Sequence, residues 1–287
     1  MFQYTFGLIK SLEQNDKLFL DIHSYDKSVS FSKRKYELNV FGIVPLGIDI
    51  KKVPRWTRPT SYELYYLFQI LVKKLIHHIP WVYFCERWSW YEGKIDLADT
   101  DKIVRGTYIE GFFQSDRYFK TYEDIVKNNF RFTKLLNDYT IQFMKDNFDD
   151  NRINIFVHVR RWDYIKDPIA SRLHWLCDID YYHRAISHIK DEIGDNYKFL
   201  IFSDDIERCK ENFVWEEYVF VEDNKWQDSW QDMYLMSKCD HGIIANSSFS
   251  RRWAYLIESA NKIVIAPKQR NKFTTSNNIC PEEWIRI

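Results

Sequence analysis

The chain lacks a long apolar run, a net charge and any close pair of cysteines, and each absence removes a class of protein. None of its 287 residues falls in a run approaching the 18 or more apolar residues that a membrane span needs, and the opening residues do not read as a signal peptide. Forty-one basic and 41 acidic residues cancel. That balance gives neither the polycation expected for nucleic acid nor the charge excess expected for disorder. The five cysteines (Cys85, Cys177, Cys209, Cys239, Cys280) are odd in number and far apart, with no Cys-x-x-Cys. They suit reduced thiols in a cytosol better than a disulfide framework or a zinc site. Gly-x-Gly-x-x-Gly, Gly-x-x-x-x-Gly-Lys-Ser/Thr and His-Glu-x-x-His are all missing, which excludes the dinucleotide fingerprint, the P-loop and the zincin helix. There is no internal repeat and no low-complexity segment.

What is present is a globular composition. Hydrophobic residues make up 45% of a chain long enough for one large domain or two of ordinary size. Aromatics reach 18%, with 11 Trp and 19 Tyr. These side chains combine an apolar face with a polar edge and suit sugar rings as well as cores.

From about Asn151 the pattern is regular. Apolar, β-rich runs at Ile153–Val159, Lys198–Phe202, Glu217–Val221, Gly242–Ala245 and Lys262–Ala266 alternate with helical stretches. One helix is read from an N-cap at Asp180 with apolar positions Tyr182, Ala185, Ile186 and Ile189; others run Ser229–Ser237 and Ser247–Glu258. Alternation of this kind predicts right-handed βαβ crossovers and a parallel sheet. The first 150 residues are less orderly. Met1–Leu12, Ser61–His78 and much of Tyr122–Phe148 read as helix, and Lys17–Asp21 as a short strand. The polar break Asp149-Asp150-Asn151 predicts a boundary between domains 1–150 and 151–287.

Three polar clusters follow predicted strands. The first, His158-Val-Arg160-Arg161-Trp-Asp163, ends an apolar run with two guanidinium groups and a carboxylate. It reads either as a structural Arg–Asp pair or as an anion site, where arginine grips phosphate through paired charge-assisted hydrogen bonds. The second is Ser203-Asp204-Asp205, and the third Asn246-Ser247-Ser248 leading into a helix. A helix N-terminus offers free N–H groups to an anion, though Asp204, Asp205 and Ser247 also suit simple caps. All three converge on the carboxyl edge of one sheet, where ligands bind in open α/β folds. Asp178-Ile-Asp180 and Asp99-Thr-Asp101 share the Asp-x-Asp spelling of metal-dependent transferases, but sit at a helix start and in a polar loop, and no metal site is read from them.

In order along the chain, Met1-Phe-Gln-Tyr4, Lys35-Tyr-Glu-Leu38, Gly111-Phe-Phe-Gln-Ser115, His158-Val-Arg-Arg-x-Asp163, Phe202-Ser-Asp-Asp205, Asp232-Met-Tyr-Leu-Met-Ser237, Ile243-Ile-Ala-Asn-Ser-Ser-Phe-Ser250 and Pro281-Glu-Glu-Trp-Ile-Arg286 resemble the motifs of glycosyltransferase family 11, the α1,2-fucosyltransferases. The resemblance implies an α/β, GT-B-like fold of two Rossmann-like domains facing a cleft, with the C-terminal one binding GDP-fucose and the N-terminal one serving the acceptor. It implies metal-independent, inverting transfer of L-fucose to the 2-hydroxyl of a terminal galactoside in a lipopolysaccharide-type glycan. The expected locale is cytoplasmic, with peripheral contact at the inner membrane face through a lipid-linked acceptor. Arg160 is the expected catalytic residue, stabilising charge on the leaving GDP. His158, Arg160, Arg161, Asp163, Ser203, Asp204, Asp205, Asn246, Ser247 and Ser248 form the expected GDP-sugar site, with no metal and no separate cofactor.

The chain departs from that pattern in three places. The Gly-Gly-Leu-Gly-Asn-Gln loop that precedes Met-Phe-Gln in relatives, and the strand leading into it, do not precede Met1 here. Trp162 stands where glycine is usual, and Arg251-Arg252-Trp253 replaces a Trp-Trp-small stretch. Each of the two arginines reads as a second phosphate ligand or as a solvent-facing side chain.

Overall fold

A computed structural model of the protein describes residues 1–22, 25, 35–47, 78–80, 82–86, 98–148, 151–160, 176–215, 217–224, 228–269, 275 and 279–287. The described residues divide into two compact units, one up to Lys134 and one from Leu135 onward. The helix that the Asp149–Asn151 break follows belongs to the second unit.

In the first unit, α1 (Phe2–Glu13) buries Phe6 and Ile9. Strands β1 (Phe19–Leu20) and β2 (Leu46–Gly47) pair in parallel. A second small sheet joins β3 (His78–Ile79), β4 (Tyr83–Cys85) and β5 (Tyr108–Glu110), with β3 antiparallel and β5 parallel to β4. Helix α2 (Glu123–Asn129) follows. The helix expected at Ser61–His78 lies outside the described residues except for His78, which is in β3.

The second unit opens with α3 (Asp138–Phe148) and then builds a six-stranded, wholly parallel sheet. Its strands are β6 (Ile153–Val159), β7 (Tyr197–Ser203), β8 (Tyr218–Phe220), β9 (His241–Ile243), β10 (Val264–Ala266) and β11 (Ile285–Arg286). The helices between them are α4 (Ile179–Ile193), α5 (Ile206–Asn212), α6 (Ser229–Ser237) and α7 (Ser248–Leu256). The spatial order is β11-β10-β9-β6-β7-β8, so β6 is the first strand and the order reverses between β6 and β9. This is the 3-2-1-4-5-6 order of a nucleotide-binding doubly wound sheet.

The apolar strands form because both faces of the sheet are covered. Ile155, Val157 and Val159 of β6 pack beneath α4, whose Tyr181, Tyr182, Ala185, Ile186 and Ile189 recur at helical spacing. The cap of α4 is Asp178, not Asp180: its carboxylate accepts a hydrogen bond from the Tyr181 amide at 2.8 Å. That bond gives one aspartate of the Asp-Ile-Asp spelling an ordinary structural task. Asp99 of the other is paired with Lys102.

Candidate functional site

The reversal of strand order opens a crevice where the chain leaves β6 on one side and β9 on the other. Two adjacent tyrosines set its walls. The buried Tyr182 hydroxyl donates to the His158 carbonyl at 3.2 Å, and the buried Tyr181 hydroxyl donates to the Ile244 carbonyl at 2.7 Å. One helical turn of α4 therefore fixes a carbonyl group at the carboxyl end of each strand. Burial pushes both phenols well above their usual range, so they remain neutral donors.

On the β6 side, His158 lies on the face opposite Val157 and Val159, with its ring 5.5 Å from that of Phe249 in α7. Arg160 is the first residue past the strand and is half-buried. Its backbone amide interacts with the Tyr182 phenol oxygen, which ties the arginine to the same turn. Arg161 and Asp163 lie outside the described residues, as does Trp162.

On the β9 side, Asn246 is half-buried, Ser247 caps α7 by accepting from the Phe249 amide at 3.2 Å, and exposed Ser248 is the first helical residue. The cap leaves other first-turn N–H groups directed out of the helix end, with the partial positive charge that favours an anion. The Ser203-Asp204-Asp205 cluster sits at the end of β7, the other neighbour of β6. Ser203 Oγ accepts from the Asp205 amide at 2.9 Å, turning the chain into α5. Asp205 occupies the cap position of α5, but its side chain makes no capping bond, and Asp204 is exposed. The simple capping role considered for Asp205 is not realised.

The structure changes the reading of Arg251 and Arg252. Neither faces solvent: they are 5% and 2% exposed, in the second turn of α7. Burial, with Arg251 beside it, pushes the Arg252 guanidinium down to about 9. Of the two readings the sequence leaves open, the solvent-facing one is excluded by this burial, which only the packed helix reveals.

One further residue emerges only from the structure. Asp232 lies in the first turn of α6, and α6 returns antiparallel to the strands, so this turn is at the carboxyl edge. Its Oδ1 is sealed from solvent without a hydrogen bond. Burial pushes its carboxyl up to about 7, and the Asn224 side chain pulls the other way. Asn224 is held in turn by Asn137 and Thr140, whose side chains donate to its Oδ1 at 3.3 and 3.2 Å. In sequence, an acid in a first helical turn looks like a dipole partner and nothing more. Cys177, near the Asn246 backbone, is pushed up to about 12 by burial and is no nucleophile.

The crevice thus offers cations, oriented N–H groups, hydroxyls and carboxylates at one sheet edge, an inventory suited to a phosphorylated ligand with a polar head. Among the described residues, no helix is long and apolar enough to cross a membrane.

A family model described as Glycosyl transferase family 11 matches residues 66–287. An alpha-1,2-colitosyltransferase of Escherichia coli is 30% identical over 300 residues, spanning 100% of this chain and 94% of its own. The O-antigen biosynthesis glycosyltransferase WbnK of Escherichia coli is 28% identical over 309 residues, spanning 100% of this chain and 96% of its own. Among solved structures, NodZ alpha-1,6-fucosyltransferase soaked with GDP-fucose is 15% identical, with a TM-score of 0.49 over 94% of this chain and 91% of that one. The fucosyltransferase NodZ from Bradyrhizobium is 14% identical, with a TM-score of 0.44 over 88% and 86%.

Proposed function

The chain belongs to glycosyl transferase family 11, and from that premise we propose that it transfers L-fucose from GDP-β-L-fucose to the 2-hydroxyl of a terminal galactoside, with inversion and without a metal. The acceptor is a glycan of the O-antigen type, met at the inner face of the membrane. The observation that carries the donor assignment is the switch point itself, where Arg160 follows β6 and the N-terminus of α7 follows the neighbouring β9.

The chemistry follows from charge. Cleaving the bond between the anomeric carbon and the β-phosphate oxygen leaves negative charge on GDP and cationic character on the sugar ring. Arg160, with Arg161 beside it, neutralises the departing phosphate, and the α7 N–H groups share the load. One such donor is worth about 3–4 kcal/mol of barrier in a water-poor site. Asn246, Ser247, Ser248, Ser203, Asp204 and Asp205 line the nucleoside and phosphates, and His158 and Asp163 support the arginines. Asp232 suits guanine, whose N1–H and exocyclic N–H can both donate to a carboxylate and favour its charged form. The 2-hydroxyl attacks opposite the departing GDP, and its proton passes to a base that no named residue supplies.

The test is GDP release from GDP-fucose with lactose or N-acetyllactosamine in EDTA. Arg160→Ala is expected to lower kcat by at least about 100-fold. Absence of turnover above that of the variant across a broad acceptor panel overturns the reading. A second reading keeps fold and linkage but transfers colitose, the 3-deoxy counterpart of L-fucose. It is favoured by the relative named for that sugar. Comparing kcat/KM for GDP-fucose and GDP-colitose separates the two.

A further inference from the structure

Consecutive residues of an α-helix point about 100° apart, so two neighbours can reach two different strands. Tyr181 and Tyr182 of α4 do so. They are 4% and 1% exposed, and their rings meet edge-on at 4.9 Å and 70°. The Asp178 cap on the Tyr181 amide fixes the turn that carries them, and Phe213 closes edge-on against the Tyr182 ring at 6.3 Å. Rings packed in this way hold their hydroxyls at fixed points.

The two hydroxyls meet different stretches of backbone. Tyr182 donates to the His158 carbonyl and accepts from the Arg160 amide, bridging the peptide groups on either side of Val159, the last residue of β6. Val159 keeps its ladder partner, Ser203, so the hydroxyl acts on the chain just as the strand releases it. Tyr181 donates to the Ile244 carbonyl at 2.7 Å and reaches the Ile265 carbonyl of β10 at 3.4 Å. Ile244 is the first residue past β9, two before Asn246. The Cys177 thiol lies beside both the Tyr182 hydroxyl and the Asn246 amide, but a thiol is a weak hydrogen-bonding group and holds either loosely. Packing α4 on the sheet needs only the rings, and phenylalanine would supply them without two buried hydroxyls to satisfy. What the hydroxyls add falls at the two strand exits.

We propose that Tyr181 and Tyr182 are positioning residues that divide the donor site between them: Tyr182 sets how the chain carries Arg160 out of β6, and Tyr181 sets how it leaves β9 for the N-terminus of α7. The division rests on the GDP-sugar reading of that site. A guanidinium that starts from fixed backbone needs less ordering when the phosphate arrives. Arg160 meets charge that grows on the β-phosphate as the sugar bond breaks, so its misplacement lowers kcat. The α7 amides hold the phosphates before and during the reaction, so loosening them weakens binding.

The test removes one hydroxyl at a time and pairs each change with Arg160→Ala. GDP bears on its terminal phosphate the charge that the transition state develops, so its affinity, read by calorimetry, reports on Arg160. Tyr182→Phe should weaken GDP binding about fivefold in the wild-type background and not at all beside Arg160→Ala; Tyr181→Phe should weaken it about fivefold in both. In turnover, Tyr182→Phe should lower kcat about tenfold with the KM for GDP-fucose within about twofold, and Tyr181→Phe should raise that KM about fivefold with kcat within about twofold. Amide exchange should quicken at Arg160 in Tyr182→Phe alone, while each variant loses about 3 °C of melting temperature, one neutral hydrogen bond apiece. Equal weakening by Tyr182→Phe with and without Arg160, or unchanged GDP affinity in either single variant, overturns the division. A variant that fails to fold overturns it too, by making its hydroxyl structural. GDP binding without transfer in the wild type sinks the fucosyl-transfer reading alone, and absence of GDP binding sinks both.

Discussion

The carboxyl edges of the two units reach the same end by different means. In the second unit, β6 and β7 run seven residues each, and the sheet ladder and its buried faces place Arg160, Ser203 and Asn246 at one edge. In the first, β4 and β5 are three residues each, too short to position anything by ladder alone. There a single buried carboxylate, Glu86, gathers donors from positions 26 to 32 residues away. The contrast teaches that a sheet's carboxyl edge can be set by backbone pairing where strands are long, or by one polar hub where they are short. The two should therefore fail differently.

The hub is the more brittle, and breaking it is the largest effect expected. Glu86→Ala leaves two backbone amides and a phenol with no acceptor in a sealed setting, a loss of about 3 kcal/mol or more. Hydrogen exchange should show faster exchange at Phe112 and Phe113 while amides of β6, β7 and β9 keep their protection. Uniform loss of protection across both units would break the comparison. The reciprocal change is Gly242→Ala in β9, where a Cβ would meet the Phe156 ring of β6 at 2.4 Å. Overpacking between central strands should destabilise by about 2–3 kcal/mol, with deprotection centred on β6 and β9 and the Glu86 hub intact. Denaturant titration followed by exchange reads both.

The same contrast explains what was legible in sequence. Ile153–Val159 and Ser229–Ser237 stand where their patterns placed them: a strand covered on both faces is apolar throughout, and the helix is buried along most of its length. The other strands of that sheet shift at their ends by one or two residues. β11, only two residues long, gives no periodic signal. Asp178 displaced Asp180 as cap because two aspartates two residues apart look alike until backbone angles are known. In the first unit the decisive contacts join Glu86 to Phe112, Phe113 and Tyr118, and no local pattern encodes such a meeting. The site divides the same way. Clusters at strand ends were readable from charge after an apolar run, whereas the burial of Arg251 and Arg252 and the sealed Oδ1 of Asp232 arise from packing between helices.

The smallest expected effect is also the sharpest, because it sets stability against binding at one residue. The Asp232 carboxyl, pushed up to about 7 by burial, holds its proton longer in the folded chain than in the unfolded one. Between pH 4 and 7 the folded state therefore binds more protons, and the contribution of Asp232 to stability falls as pH rises through that window. Donor binding runs the other way, since guanine N–H groups need the carboxylate and should lose it as pH falls below about 7. Asp232→Asn removes both slopes. Relative to the variant, the wild type should be less stable at pH 8 by about 1 kcal/mol, a shift of ~3 °C in melting temperature, and no less stable at pH 5. Its affinity for GDP should exceed the variant's at pH 8 by about tenfold and converge on it at pH 5. Calorimetric titrations of GDP at the two pH values, beside thermal melts, read both slopes. Parallel slopes would mean that Asp232 holds the α3–α6 contact through Asn224 and does not read the base. Opposed slopes would place a specificity determinant in a helix whose sequence shows only a first-turn acid.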